Sequence, residues 1–386
     1  MRPPRLALTV FCAALALASP ATAQRVELAG RVTASRTVLS QRRVGEARYV
    51  AISDLFYQDR SAILEILDLA TLSVVQVTAK RATLERKFGH AHDGVVSVPQ
   101  GDVVQYRDGI VGLALSESGA AATRHYWYAE LDARSGKLVR STELATLRTG
   151  DQLQVIGADP TGTAAWFAIT ETRPRGRTVM LRRLDLGSLE RRDEQRVALG
   201  PRTARGRDHA VTVHASPDFA RFAIIEYVED GAQLGPGQVY IADPAAGTTV
   251  AVPAPPTTYG VAFSADGRYV YLGSAQRATI SRIDVAAGRI DKQVAGPRNL
   301  HHLVISASGA KLFAFATSST YAVFDLPDLK ARTDATHAAG IAPAMIQLHG
   351  EGIASLDGAF FVVPDVEDRR KPSPRERTYV IARIVE

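Results

Sequence analysis

Cysteine is almost missing from this chain: Cys12 is the one thiol in 386 residues, and it lies inside an apolar stretch near the start. Beyond that stretch the sequence can form no disulfide, no thiolate metal site, no Cys-x-x-Cys-His haem attachment and no cysteine nucleophile. Stability has to come from packing and strand pairing. A second long apolar run, of the roughly 20 residues that cross a bilayer, is also lacking. So is a Gly/Ser or Pro tract that would part the chain into two domains. Charge is nearly balanced, with 46 Lys and Arg against 40 Asp and Glu for a net +6. A balance that mild does not call for a nucleic-acid partner.

What is present begins with an address. Arg2 and Arg5, the apolar run Leu6 to Ala18, and Ser19-Pro20-Ala21-Thr22-Ala23 form the three parts of a secretory signal, with small residues where a signal peptidase cuts. The run is too short to span about 30 Å of hydrocarbon. Cys12 lies within it rather than at its end, which argues against lipid attachment at a lipoprotein-type cleavage site. Residues 1–23 are therefore expected to be a cleaved signal peptide. Residues 24–386 are expected to be a single domain, periplasmic or secreted, with no stable membrane insertion after cleavage.

The rest of the chain repeats one pattern: a strand running into an Asp, a short turn with small residues, then a second strand. Ile280 to Asp284 followed by Ala287-Gly288-Arg289-Ile290 is one copy, and Tyr128 to Asp132 followed by Ser135-Gly136-Lys137-Leu138 is another. The marker aspartates fall at 68, 132, 185, 243, 284 and 325, and the strand Tyr379 to Val385 stands where a seventh would lie. A second turn precedes several of them, fullest in Ser264-Ala265-Asp266-Gly267 and weaker at Ser216, Asp159 and Ser306. Asp and Gly suit these turns because one caps its own backbone and the other tolerates positive φ. Two hairpins per unit make four strands, which predicts an all-β, seven-bladed β-propeller of four-stranded antiparallel blades. An open ring would leave edges unpaired, so Arg25 to Val32 is expected to pair with Tyr379 to Val385 and close it.

The Ser-x-Asp-Gly turn followed by the Ile-Asp-x-x-x-Gly turn resembles bacterial seven-bladed propellers of the YVTN and quinoprotein amine dehydrogenase beta-chain-like type. The likeness covers Asp151 to Leu329 best. It implies blade geometry and says little about activity. Gly296-Pro297 keeps the Gly-Pro pair that this family often places before an inner strand, and Pro255-Pro256 departs from it. A pyrroloquinoline-type dehydrogenase would call for more tryptophan than Trp127 and Trp166, which read as blade packing, and often for a cysteine pair. No cofactor is expected.

In a propeller the inner strands line a central channel. Aligning the turns puts Gln154, Val211, Tyr259 and His301 at equivalent inner-strand positions. Asp151, Asp208, His209, Tyr259, Arg298, His301 and His302 then form a candidate ligand-binding funnel at the channel mouth. His301 and His302 should face opposite ways, since neighbouring strand residues do. His90-Ala91-His92-Asp93 has a chelating spacing but no third ligand nearby, so no metal is expected. Arginine clusters at 173–177, 202–207 and 369–375, in segments that read as exposed loops able to dock an anionic surface. The expected function is an exported, monomeric scaffold that binds another protein or a cell-envelope component through its loop face. The alternative is an enzyme of quinoprotein dehydrogenase-like, lactonase or lyase type working at the channel mouth.

Overall fold

The computed structural model describes residues 25–385 apart from 35–41, 44–47, 54, 90, 93–94, 97–99, 119–121, 174–175, 201–210, 227–228, 231–232, 235–236, 317–319, 338–352, 356 and 365–376. The predicted signal peptide lies outside the described residues.

The marker aspartates end their strands by capping the turn that follows. Asp132 accepts from the Ser135 backbone N–H at 2.6 Å and its hydroxyl at 2.7 Å. Asp185, Asp243 and Asp284 accept from the backbone N–H groups of Ser188, Ala246 and Ala287. These bonds favour the ionised carboxyl, and Ser135 and Ser188 hold Asp132 and Asp185 below the usual carboxylate range. The inner turns are tied by serine. Ser264 donates to Asp266 at 2.6 Å and accepts from the Tyr269 N–H at 2.8 Å. Ser216 repeats this with Asp218 and Arg221, and Ser355 with Asp357 and Phe360. The copy at Ser355 was not among those read from the sequence.

Strands cut to length by these turns pair into seven antiparallel blades, as the sequence predicted. From channel to rim, blade 2 is Gln100–Arg107, Ile110–Ser118, Thr123–Asp132 and Leu138–Arg148. Blade 3 is Gln152–Ala158, Ala164–Arg173, Gly176–Asp185 and Arg191–Ala198. Blade 4 is Val211–Ala215, Phe222–Glu226, Gln238–Asp243 and Thr248–Pro253, with a small hairpin of Glu229–Asp230 and Gln233–Leu234 rising from its middle loop. Blade 5 runs Thr258–Phe263, Tyr269–Ser274, Thr279–Asp284 and Arg289–Ala295, and blade 6 Leu300–Ile305, Lys311–Ala316, Thr320–Asp325 and Lys330–His337.

Blades 1 and 7 are the irregular ones. In blade 1 the inner strand is Arg42–Arg43, and the second is broken into Tyr49–Ala51 and Phe56–Gln58, both lying along Ser61–Asp68, with Ser73–Lys80 outermost. Ser53 bridges the break by accepting from the Glu65 N–H at 2.7 Å. Blade 7 runs Ile353–Ala354, Phe360–Pro364 and Arg377–Val385, and its rim strand is Arg25–Ala34, from the other end of the chain. The predicted closure by the two chain ends is therefore present, from Arg25 opposite Val385 to Ala34 opposite Arg377. The Val26 N–H also donates to the Tyr321 hydroxyl of blade 6 at 3.1 Å.

Packing follows the same count. Seven apolar clusters fill the gaps between successive blades, including the one across the closure, where Val32, Val50, Leu67 and Tyr379 meet. Trp127 and Trp166 belong to these layers, as expected. One element was not foreseen: the helix Arg81–Phe88 between blades 1 and 2, which buries Leu84 and Phe88 one turn apart. Phe88 packs on Trp127 with ring centroids 5.6 Å apart.

Antiparallel alternation gives the ring two unlike faces. One carries the blade-to-blade crossings and the loops between second and third strands; the other carries the short Ser and Asp turns. On the turn face acids and bases pair, as in Arg48–Asp68, Arg221–Asp243, Arg268–Asp284 and Lys311–Asp325. On the loop face Asp151 and Glu226 are drawn inside, while Arg60, Lys80, Arg86, Lys87, Arg124, Arg148, Arg277 and Arg298 are exposed. Among the described residues the acids left nearer the surface at that face include exposed Asp59; half-buried Glu85 and Glu171, which pair with Arg81 and Arg196; and Glu229 and Asp230 of the blade 4 hairpin.

Candidate functional site

The inner strands of blades 3 to 7 line a channel cavity of about 330 Å³, open on one side. Its walls run from Tyr259 and His301 down to the turns at Ser216, Ser355 and Gly358. The sequence alignment of Tyr259 with His301 holds in three dimensions for a specific reason. In blade 5 the register jumps between Thr258 and Gly260, and in blade 6 between Leu300 and His302. Tyr259 and His301 are thus the extra residue of two equivalent β-bulges, a device that re-aims a side chain at the cost of its ladder pairing. Their rings stack face to face at 4.5 Å and 9°.

His302 turns the other way, as strand alternation predicts, and meets Phe361 of blade 7 at 5.2 Å. Phe361 in turn stacks on Phe315 at 4.5 Å. His302 is half-buried and faces the cavity with part of its ring. Burial, helped by the nearby His301, lowers its pKa to about 3 and keeps it neutral. Its Nε2 is buried without a hydrogen-bond partner.

The other predicted residues divide. Asp151 is buried outside the cavity, where it accepts from the Thr172 N–H at 2.8 Å and from Arg173 at 2.8 and 3.0 Å, tying together the loop-face end of blade 3. Arg173 is the cation held by that pair, and it owes its raised pKa chiefly to Asp151. Arg298 is exposed on the crossing into blade 6, away from the cavity wall. Asp208 and His209 lie outside the described residues. Gln154 lines the cavity, but its amide is consumed: it donates to the Val213 carbonyl and accepts from the Val213 N–H, both at 2.9 Å, joining two inner strands as a further strand would. His90 and Asp93 lie outside the described residues, and His92 is in the short strand Ala91–His92 paired with Val95–Val96. Among the described residues no group of three or more His, Cys, Asp or Glu is placed to hold a metal.

Sequence reasoning missed His214, Phe219 and Phe361, which all line the cavity. Phe219 left a signal. It occupies the turn position that is Gly162, Gly267, Gly309 or Gly358 in other blades, and it adopts their left-handed backbone at φ 57°. A side chain there costs about 1 kcal/mol or more, so a phenylalanine in a glycine slot marks a ring placed for a purpose other than turning.

No protein-family model matches this chain, and comparison with curated proteins finds no match. The class that stands is that of the fold, a seven-bladed β-propeller. No helix among the described residues is long and apolar enough to cross a membrane.

Proposed function

We propose that this propeller is an exported binding scaffold that docks through its loop face onto an anionic protein or other anionic component of the cell envelope. The supporting observation is the sorting of charge by face. The turn face sets acids against bases in ion pairs, whereas the loop face buries or pairs most of its described acids and presents a larger set of exposed arginine and lysine. Fold stability does not require that sorting, since exposed cations contribute little to it. A one-signed face does speed encounter with a partner of opposite sign. The arginines at 369–375 and 202–207 lie outside the described residues. The strand ends that flank them, Pro364, Arg377, Ala198 and Val211, belong to the same face. The signal-like residues 1–23 support the address.

The test is retention of envelope components on the immobilised mature protein. Charge reversal by Arg124→Glu, Arg148→Glu and Arg298→Glu together, or raising salt to about 0.5 M, should cut recovery at least tenfold. Equal recovery by the unchanged and reversed proteins overturns the reading. N-terminal sequencing of the exported product should begin at Gln24; a product that keeps residues 1–23 in the cytoplasm removes the address.

A further inference from the structure

We infer that the channel cavity is a second binding site, separate from the loop face, for an uncharged aromatic or heteroaromatic molecule of one or two rings. Size comes first. A cavity of about 330 Å³ is roughly twice the volume of one that accepts benzene, and it falls within the range of small-molecule pockets. Chemistry comes second. Its described walls contain no Asp, Glu, Lys or Arg. They offer ring surfaces from Tyr259, Phe219, Phe263 and Phe361, together with the imidazoles of His214, His301 and His302. A charged ligand would lose its hydration there without gaining a counter-charge, which selects strongly against it.

Construction comes third. Two adjacent inner strands carry a bulge at the same position, and each bulge delivers an aromatic ring to one stack. A third blade holds Phe219 in a backbone conformation that its sister blades leave to glycine. Closing a ring does not fix a bulge at this position, since the inner strands of blades 2 and 3 carry theirs elsewhere, at Val104 and Ile156, and Val211–Ala215 has none. His302 adds a neutral imidazole whose Nε2 has no hydrogen bond within the protein. A ligand N–H or hydroxyl is the complement that such an atom lacks after a small ring rotation.

The experiment uses indole and 1-naphthol as neutral probes, with indole-3-acetate and tryptamine as charged partners of similar size, titrated into the mature protein by calorimetry at pH 7.5. One saturable site for a neutral probe is expected, with at least tenfold weaker binding of both charged molecules. Tyr259→Ala and His301→Ala should each weaken the neutral probe at least tenfold, and Tyr259→Phe should retain it. Should the alanine variants melt early, Ala262→Phe serves instead, since it fills the cavity from a wall position and should abolish binding. The inference is overturned if the charged probes bind as well as the neutral ones, if no neutral probe binds below millimolar concentration, or if Ala262→Phe leaves binding unchanged. Loop-face charge reversal should not alter probe binding, so this site and the docking face fail or stand separately.

Discussion

Leucine holds a backbone conformation in three turns of this ring that glycine holds in three others. The position four residues after each marker aspartate is left-handed throughout: Leu72 at φ 52°, Leu189 at 61° and Leu329 at 50°, against Gly136, Gly247 and Gly288 at 62–63°. The leucines offset their backbone cost, about 1–2 kcal/mol, by packing between blades, and Leu329 is 2 % exposed. Burial of such a side chain stabilises by about 1.5–3 kcal/mol. Relieving the backbone by Leu329→Gly should therefore lower stability, by about 1 kcal/mol, read as a lower urea midpoint. His302 gives a pH prediction of definite sign. Its pKa is about 3 in the fold and 6.5 in the free side chain, so the unfolded chain binds the extra proton between those values. Stability is then fully present above pH 6.5 and falls as the pH drops toward 3. A His302→Phe variant should lose less between pH 7.5 and 4.5 than the parent protein, in paired denaturant titrations.

At the scale of elements, one ion pair shows how blades are joined. Arg177 of blade 3 reaches Glu226 of blade 4, with side chains 2 % and 7 % exposed. Removing one member of such a pair leaves the other charge buried, at a cost of about 3–5 kcal/mol. Arg177→Met alone should lower the melting temperature sharply, and Arg177→Met with Glu226→Leu should recover most of the loss. The sequence pattern places Arg177 in an exposed arginine cluster, whereas the fold buries it, and that difference defines what the letters convey. Turn chemistry is local: an aspartate and the residue three or four places on fix a strand end, so the blade count, the phase of the inner strands and the Tyr259–His301 equivalence were legible. The bulges are a matter of register between two strands, and Asp151 finds Arg173 across a whole hairpin. Neither property is local, so Asp151 read as a channel group when it is a structural one. The helix Arg81–Phe88 is two turns long, too short for its apolar spacing to stand out.

For the whole molecule, the ring depends on one strand contributed from a distance. Arg25–Ala34 covers the edge of Arg377–Val385, bringing Val26 into the cluster between blades 6 and 7 and Val32 into the closing one. A protein beginning after Ala34 should expose that edge and those apolar neighbours, and exposed edges associate. It should elute as oligomers or aggregate in size-exclusion chromatography with light scattering, whereas the loop-face charge reversal should elute as the parent does. A monomeric truncation with an unchanged melting curve would show that the closure contributes little.

That stitch also sets an order of events in biosynthesis. Of the described strands Arg25–Ala34 is made earliest and finds its mate last, because its partner begins at Arg377. At about 5–20 residues per second, the interval between making the two is roughly 20–70 s. Through that interval Val26 lacks the blade 6 and blade 7 residues that cover it, Val32 has its blade 1 neighbours alone, and a holding factor for nascent chains would find its target there. The amide protons of Arg25–Ala34 should accordingly be the last to gain protection when the finished chain folds.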